Sequence, residues 1–235
     1  MKLIASMLIA FFLASLSGVA EQGSHLFILS GQSNMKRLKP ETSFIPAVEA
    51  AFGKENVIVV KQASGGKPIR DWYKEWESEQ GKKPQKAGHR YDALMEEVRG
   101  KTAGKKLASV SFFWMQGERD AAERHGKVYA ASLRGLMDQL TNDLGREDIN
   151  FVIGRLSDFD MNNQRYKHWT IVREALVSVA ESTPRAVWIN TDDLNDKFRQ
   201  DGTKKDDLHY TREGYNIFGK RLADAAIKLI QKHSE

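Results

Sequence analysis

Apolar positions along the chain follow two alternating rhythms. Short unbroken runs occur at Leu26-Phe27-Ile28-Leu29, Val57-Ile58-Val59-Val60, Val110 to Trp114, Phe151-Val152-Ile153 and Ala186-Val187-Trp188-Ile189. Runs of this length without polar alternation predict strands buried on both faces. Between them, apolar residues recur at spacings of three and four: Leu94 with Val98, Leu133-Leu136-Met137-Leu140, Val172-Leu176-Val179 and, near the end, Phe218-Leu222-Ala225-Leu229. That spacing lines one face of a helix. Strands alternating with helices predict βαβ units, hence a parallel sheet covered on both sides. The expected fold class is α/β, a three-layer αβα sandwich around a flavodoxin-like five-stranded parallel sheet. In such sheets ligands bind beyond the carboxyl ends of the strands. The residues that follow each strand are therefore where chemistry is to be sought.

The first twenty residues break this pattern. Lys2 gives a positive start, Leu3 to Leu16 is almost wholly apolar, and Ser17-Gly18-Val19-Ala20 places small residues before Glu21. This is the layout of a secretory signal peptide spanning residues 1–20, cut after Ala20; an uncleaved anchor is the alternative. Residues 21–235 then form one domain that is secreted or periplasmic, with no stable membrane association after cleavage. The absence of Cys excludes disulfides and a lipid-anchored lipoprotein, so stability must come from the core. Apolar residues at 41% and charged residues at 29% argue against disorder. The net charge of +5 hints at an anionic partner. However, the basic residues lie scattered among acidic ones in short clusters such as Lys36-Arg37 and Lys82-Lys83, with no basic stripe interleaved with aromatics. Nucleic acid is not an expected partner, and nothing in the sequence fixes an oligomeric state.

After the first strand comes Ser30-Gly31-Gln32-Ser33-Asn34-Met35. A serine on a tight strand-to-helix turn holds its hydroxyl clear of the sheet edge, while its own N–H joins the helix start; the plain alternative is a helix N-cap. After the second strand, the paired glycines of Ala63-Ser64-Gly65-Gly66 allow positive φ and close backbone approach, so that an N–H can donate to an oxyanion. After the third comes Trp114-Met115-Gln116-Gly117-Glu118-Arg119-Asp120. An amide and two carboxylates at a strand end are costly unless paired or used. Gln116 can present an N–H to a developing negative charge, and Glu118 or Asp120 can orient a base or a loop; a helix start salt-bridged by Arg119 is the alternative. Near the end, Asp206-Asp207-Leu208-His209 precedes the last helix, which Thr211 is placed to cap. A carboxylate three residues before a histidine can bend back onto one ring nitrogen and leave the other to take a proton from Ser33. His25, His89, His125, His168 and His233 have no such setting. Together these residues supply nucleophile, base, orienting acid and oxyanion donors, a set suited to acyl transfer.

Gly31-Gln32-Ser33-Asn34-Met35, Gly65-Gly66, Trp114 to Asp120, and Asp206 to His209 followed by Gly214 resemble, in order and spacing, the blocks of the sialate O-acetylesterase / acetylxylan-esterase branch of the SGNH hydrolases. The resemblance implies a serine esterase acting on acetylated oligo- or polysaccharides, with no metal and no cofactor. It implies Ser33 as nucleophile, His209 as general base, and an oxyanion hole made by the backbones of Ser33 and Gly66 (or Gly65) with the Gln116 side chain. Both Asp206 and Glu118 fit the family's patterns for the third member of the triad; Asp206 is the expected acid because of its tether to His209, with Glu118 the alternative. Gln32, Trp72 and Tyr91 are candidates for substrate binding, Trp72 and Tyr91 with Tyr73 and Trp76 as a stacking surface for sugar rings. The chain departs from the family at Lys36-Arg37-Leu38-Lys39-Pro40, where relatives commonly carry a small residue, so the loop beside the nucleophile is expected to be reshaped. Three other readings stand beside this one: a lipase or thioesterase on the same scaffold, a sugar-binding relative without turnover, and a metal-assisted hydrolase using His209, Asp206 and Glu118.

Overall fold

The computed structural model describes residues 23–195, 197–198, 201–202, 204–205 and 207–233. The expected signal peptide and Asp206 lie outside the described residues. Each of the five apolar runs forms a strand: β1 (Ser24–Gly31), β2 (Val57–Ala63), β3 (Leu107–Met115), β4 (Asn150–Gly154) and β5 (Ala186–Ile189). They hydrogen-bond in the order β2-β1-β3-β4-β5, all parallel, as the three-layer reading requires. A short antiparallel pair, β6 (Lys197–Phe198) and β7 (Lys204–Lys205), lies apart from this sheet.

The helices are α1 (Ser33–Arg37), α2 (Pro40–Phe52), α3 (His89–Thr102), α4 (Glu118–Ala122), α5 (Gly126–Leu144), α6 (Trp169–Glu181) and α7 (Arg212–Lys232). The spacings read from sequence fall on α3, α5, α6 and α7. Thr211 caps α7, its Oγ1 accepting from the Gly214 N–H at 2.7 Å. Helix α2 carries Pro46 in its interior, a breaker signal, yet the helix continues through it. Phe44 fastens α2 to the sheet by edge contacts with Phe27 and Phe113 at 5.7 and 5.1 Å between centroids. Helix α2 also packs along α7, while α5 and α6 pack on each other. Among the described residues, no helix is long and apolar enough to cross a membrane.

The sheet order sets the position of the site. The chain leaves β1 for β2 on one side and later returns to β3 on the other, so a crevice opens beyond the carboxyl ends of β1 and β3. Gly31 makes that crevice narrow. Its φ is +140°, and a Cβ there would stand 2.1 Å from the Met115 carbonyl oxygen. With glycine in place, the Gln32 N–H donates to that same oxygen at 2.9 Å. Ser33 therefore emerges directly over the end of β3.

Candidate active site

Ser33 opens α1, half-buried, and its Oγ lies 3.0 Å from Nε2 of His209. The segment carrying His209 is held from three sides. The His209 N–H donates to Asp207 Oδ1 at 3.0 Å, and Asn195 Nδ2 donates to the Asp207 carbonyl at 2.9 Å. Asn34 Nδ2 donates both to the Leu208 carbonyl and to Glu118 Oε1, each at 3.1 Å, while the Tyr215 hydroxyl donates to Asn34 Oδ1 at 2.9 Å. Asn34 thus ties α1, α4 and α7 together beneath the serine–histidine pair. Sequence reasoning left Asn34, Asp207 and Tyr215 unassigned; Asn34 stood inside the Gly31–Met35 block, whereas nothing in the sequence distinguishes Tyr215 from a packing residue.

A hollow of about 320 Å³ opens above the pair. Gln32, Gly66 and Glu118 line it with Ser33 and His209, and Arg37, Arg119, Ala122, Tyr166 and Leu208 complete its wall. A larger hollow of about 570 Å³ over α6 has no serine–histidine pair in its lining. Beside Ser33, Gly66 sits at φ +66°, and a Cβ at Gly65 would stand 3.9 Å from the Ser33 Cβ. The Ser64 N–H holds this turn by donating to the Gly31 carbonyl at 2.9 Å.

Gln116 is placed otherwise than expected of an oxyanion donor. It is fully buried below the hollow, with its Nε2 near Asp120 Oδ2 (2.6 Å), the Lys67 carbonyl (3.1 Å) and Gln32 Oε1 (3.2 Å). Its Oε1 accepts from the Tyr129 hydroxyl at 2.8 Å. Two amide protons facing three acceptors leave none for a ligand above Ser33. What Gln116 does is orient Gln32. The Gln32 Oε1 accepts from Gln116 Nε2 and from the Arg119 N–H, both at 3.2 Å. With its oxygen pinned inward, Gln32 is left with its Nε2 as the amide group free to face the hollow.

The two carboxylates of α4 are also buried. Burial pushes the Glu118 carboxyl up to about 7, against the hydrogen bond from Asn34 that favours its ionised form. Asp120 is likewise pushed up to about 7 by burial, against hydrogen bonds from Gln116 and from the Ile69 N–H at 2.9 Å. Oε2 of Glu118 and Oδ1 of Asp120 have no hydrogen-bond partner. Glu118 faces the hollow, whereas Asp120 is absorbed in the floor with Gln116. Among the described residues no cluster of three metal-ligating side chains occurs.

The expected aromatic platform is a correction. Trp72 and Tyr91 are fully buried, and Trp76 nearly so. Trp72 packs edge-on against Trp114 at 5.3 Å, and the Tyr91 hydroxyl donates to the Gln139 carbonyl at 3.3 Å. These rings fill the layer between the sheet and α3 and α5, because burying a large ring contributes more than leaving it in water. The aromatic side chain in the hollow is Tyr166, stacked on Trp169 with 5.7 Å between centroids. It follows β4 in a segment without periodic pattern, which gave no signal.

The structure is thus a three-layer α/β fold with a serine–histidine contact at the switch point of its parallel sheet. Residues 36–228 match the family described as "carbohydrate esterase, sialic acid-specific acetylesterase", and the chain belongs to that family. It is thus a carboxylic ester hydrolase. The match takes in His209 and begins just after the Ser33 block. No curated protein shows significant sequence similarity to the chain. Among solved structures, it is similar to a protein from Arabidopsis thaliana at 21% identity and a TM-score of 0.63, with 88% of this chain and 98% of that one covered. It is similar to a carbohydrate acetylesterase from Xanthomonas citri at 14% identity and a TM-score of 0.65, with 89% of this chain covered; the overlap spans 57% of the Xanthomonas chain. A carbohydrate esterase family 3 protein from Talaromyces cellulolyticus is similar at 12% identity and a TM-score of 0.53, with 89% and 99% of the two chains covered. At these identities the likenesses concern the fold.

Proposed function

We propose that the protein removes O-acetyl groups from oligo- or polysaccharides through an acetyl-enzyme intermediate on Ser33. The observation that carries this reading is the 3.0 Å contact between Ser33 Oγ and His209 Nε2 at the mouth of the hollow. His209 takes the hydroxyl proton as Oγ bonds to the acetyl carbon. The resulting oxyanion accepts from the N–H groups of Ser33 and Gly66 and from Gln32 Nε2, which replaces Gln116 as the side-chain donor. Collapse expels the sugar oxygen, which takes the proton from His209. Water then gives a proton to the same nitrogen and attacks the acetyl carbon, releasing acetate and restoring Ser33. Asp206 orients the imidazole, with Glu118 the alternative acid. The sugar ring lies against Tyr166, and the acetyl methyl needs only a shallow recess. The protein acts outside the cytoplasm after loss of residues 1–20.

Acetate release from acetylated xylan, acetylated sialic acids and acetylated pectin, together with turnover of p-nitrophenyl esters of increasing chain length, tests this reading. Acetate should be released from at least one glycan, and the acetyl ester should be the best of the series. A preference for long acyl chains would make the protein a lipase or thioesterase. Glycan binding without turnover would make it a binding relative.

A further inference from the structure

Lys36 to Pro40, where the chain departs from the family pattern, line a third hollow. It measures about 550 Å³ and lies between β2, the junction of α1 with α2, and α3. Five cationic side chains line it against two acidic ones. Lys36, Arg37 and Lys39 are exposed, and none of them has an ion-pair partner among the described residues. Lys61 reaches across from β2, its Nζ donating to the Lys36 carbonyl at 3.0 Å and also to the Leu38 carbonyl, which fixes the end of α1 over the strand. Lys101 is offset by Glu97 at 3.0 Å. The surplus is therefore positive and concentrated in a concave wall, where field lines are focused. Arg37 lines this hollow and the Ser33 hollow alike, so the two are neighbours.

We propose that this groove holds the flanking residues of a carboxylate-bearing polysaccharide whose acetylated residue lies over Ser33, so that the enzyme deacetylates acidic chains in preference to neutral ones. This rests on the esterase reading above. Strand β2 pairs with β1 alone and is an edge, and lysines on edges also serve to repel a second strand. Guard lysines do that wherever they lie along an edge. Here the unpaired cations gather in one hollow that shares Arg37 with the hollow over Ser33, the arrangement a chain longer than one sugar requires.

The test compares the wild type with K36E/K39E and with the milder K36Q/K39Q on an O-acetylated oligouronide, an O-acetylated neutral oligosaccharide and p-nitrophenyl acetate. The wild type should favour the oligouronide in kcat/KM. The ratio of oligouronide to neutral substrate should fall by about tenfold or more in K36E/K39E, and by less in the glutamine variant. The fall should shrink in about 0.5 M salt, where screening shortens the reach of the charges. A ratio equal in all three proteins, or a wild type that favours the neutral chain, overturns the proposal and leaves the lysines as edge guards. If no protein hydrolyses even p-nitrophenyl acetate, the esterase reading fails instead. Titration of unacetylated oligouronide into the wild type and K36E/K39E then tests the groove by itself: tighter binding to the wild type supports it, and equal binding overturns it.

Discussion

In the proposed mechanism Gln32 takes the oxyanion-donor role that the sequence assigns to Gln116, and Gln116 holds Gln32 in place. Gln116 spends its Nε2 on the floor of the site and fixes Gln32 Oε1, and the Arg119 N–H fixes the same oxygen. Gln32→Ala should therefore lower kcat by about 10²–10³ with little change in KM and near-wild-type Tm. Gln116→Ala should lose Tm as well as kcat, because it also strips a donor from buried Asp120. A wild-type kcat in Gln32→Ala, with kcat alone reduced in Gln116→Ala, would return the donor role to Gln116. The orienting acid separates in the same way. Asp206→Asn should cost at least about 10² in kcat, and Glu118→Gln less, since loss of the partner deprives the imidazole of its orientation and of charge stabilisation in the transition state. The reverse order would make Glu118 the acid. That a serine, a glycine pair and a histidine converge was legible from their places after strands and before a helix. Which way Gln116 points was not, because its direction is set by Tyr129, Asp120 and Lys67, residues of separate segments. Nor does aromatic identity distinguish a core ring such as Trp72 from a wall residue such as Tyr166.

Helix α4 brings Glu118 and Asp120 into the protein at its first turn, and this should appear in the pH dependence of stability. Both carboxyls are pushed up to about 7 by burial, whereas an unfolded chain loses these protons near pH 4 (about 3.9–4.3). Between those values the folded chain keeps protons that the unfolded chain has released. The two groups therefore leave stability intact below about pH 4 and subtract from it as pH rises towards about 7. Tm should decline from about pH 5 to about pH 7.5, and Glu118→Gln should make the decline shallower. An identical slope in both proteins would mean that Glu118 is already ionised at the lower pH. The strands were legible because a doubly buried parallel strand is a continuous apolar run, and α3, α5, α6 and α7 because each shows an apolar face at helical spacing. Helix α2 was not, since Pro46 is a breaker signal in its interior and its hold on the sheet comes through Phe44 against Phe27 and Phe113.

At the scale of the whole molecule, a sheet in the order β2-β1-β3-β4-β5 gathers the loops that follow β1, β2 and β3 at a single crevice. The chemistry at residues 30–35, 63–66 and 114–120 comes together there through topology, and α7 docks to bring His209 over it. Mass spectrometry of the protein recovered from its native source should find a chain that begins near Glu21, and retention of Met1 to Ala20 would contradict export with cleavage. The nucleophile itself is open to direct trapping. A fluorophosphonate probe should add one adduct to the wild type, on the peptide that contains Ser33. Ser33→Ala should take up no probe and release no acetate, with Tm unchanged, and His209→Ala should label far more slowly. Label on another residue, or acetate release by Ser33→Ala near the wild-type rate, would contradict an acetyl-enzyme on Ser33.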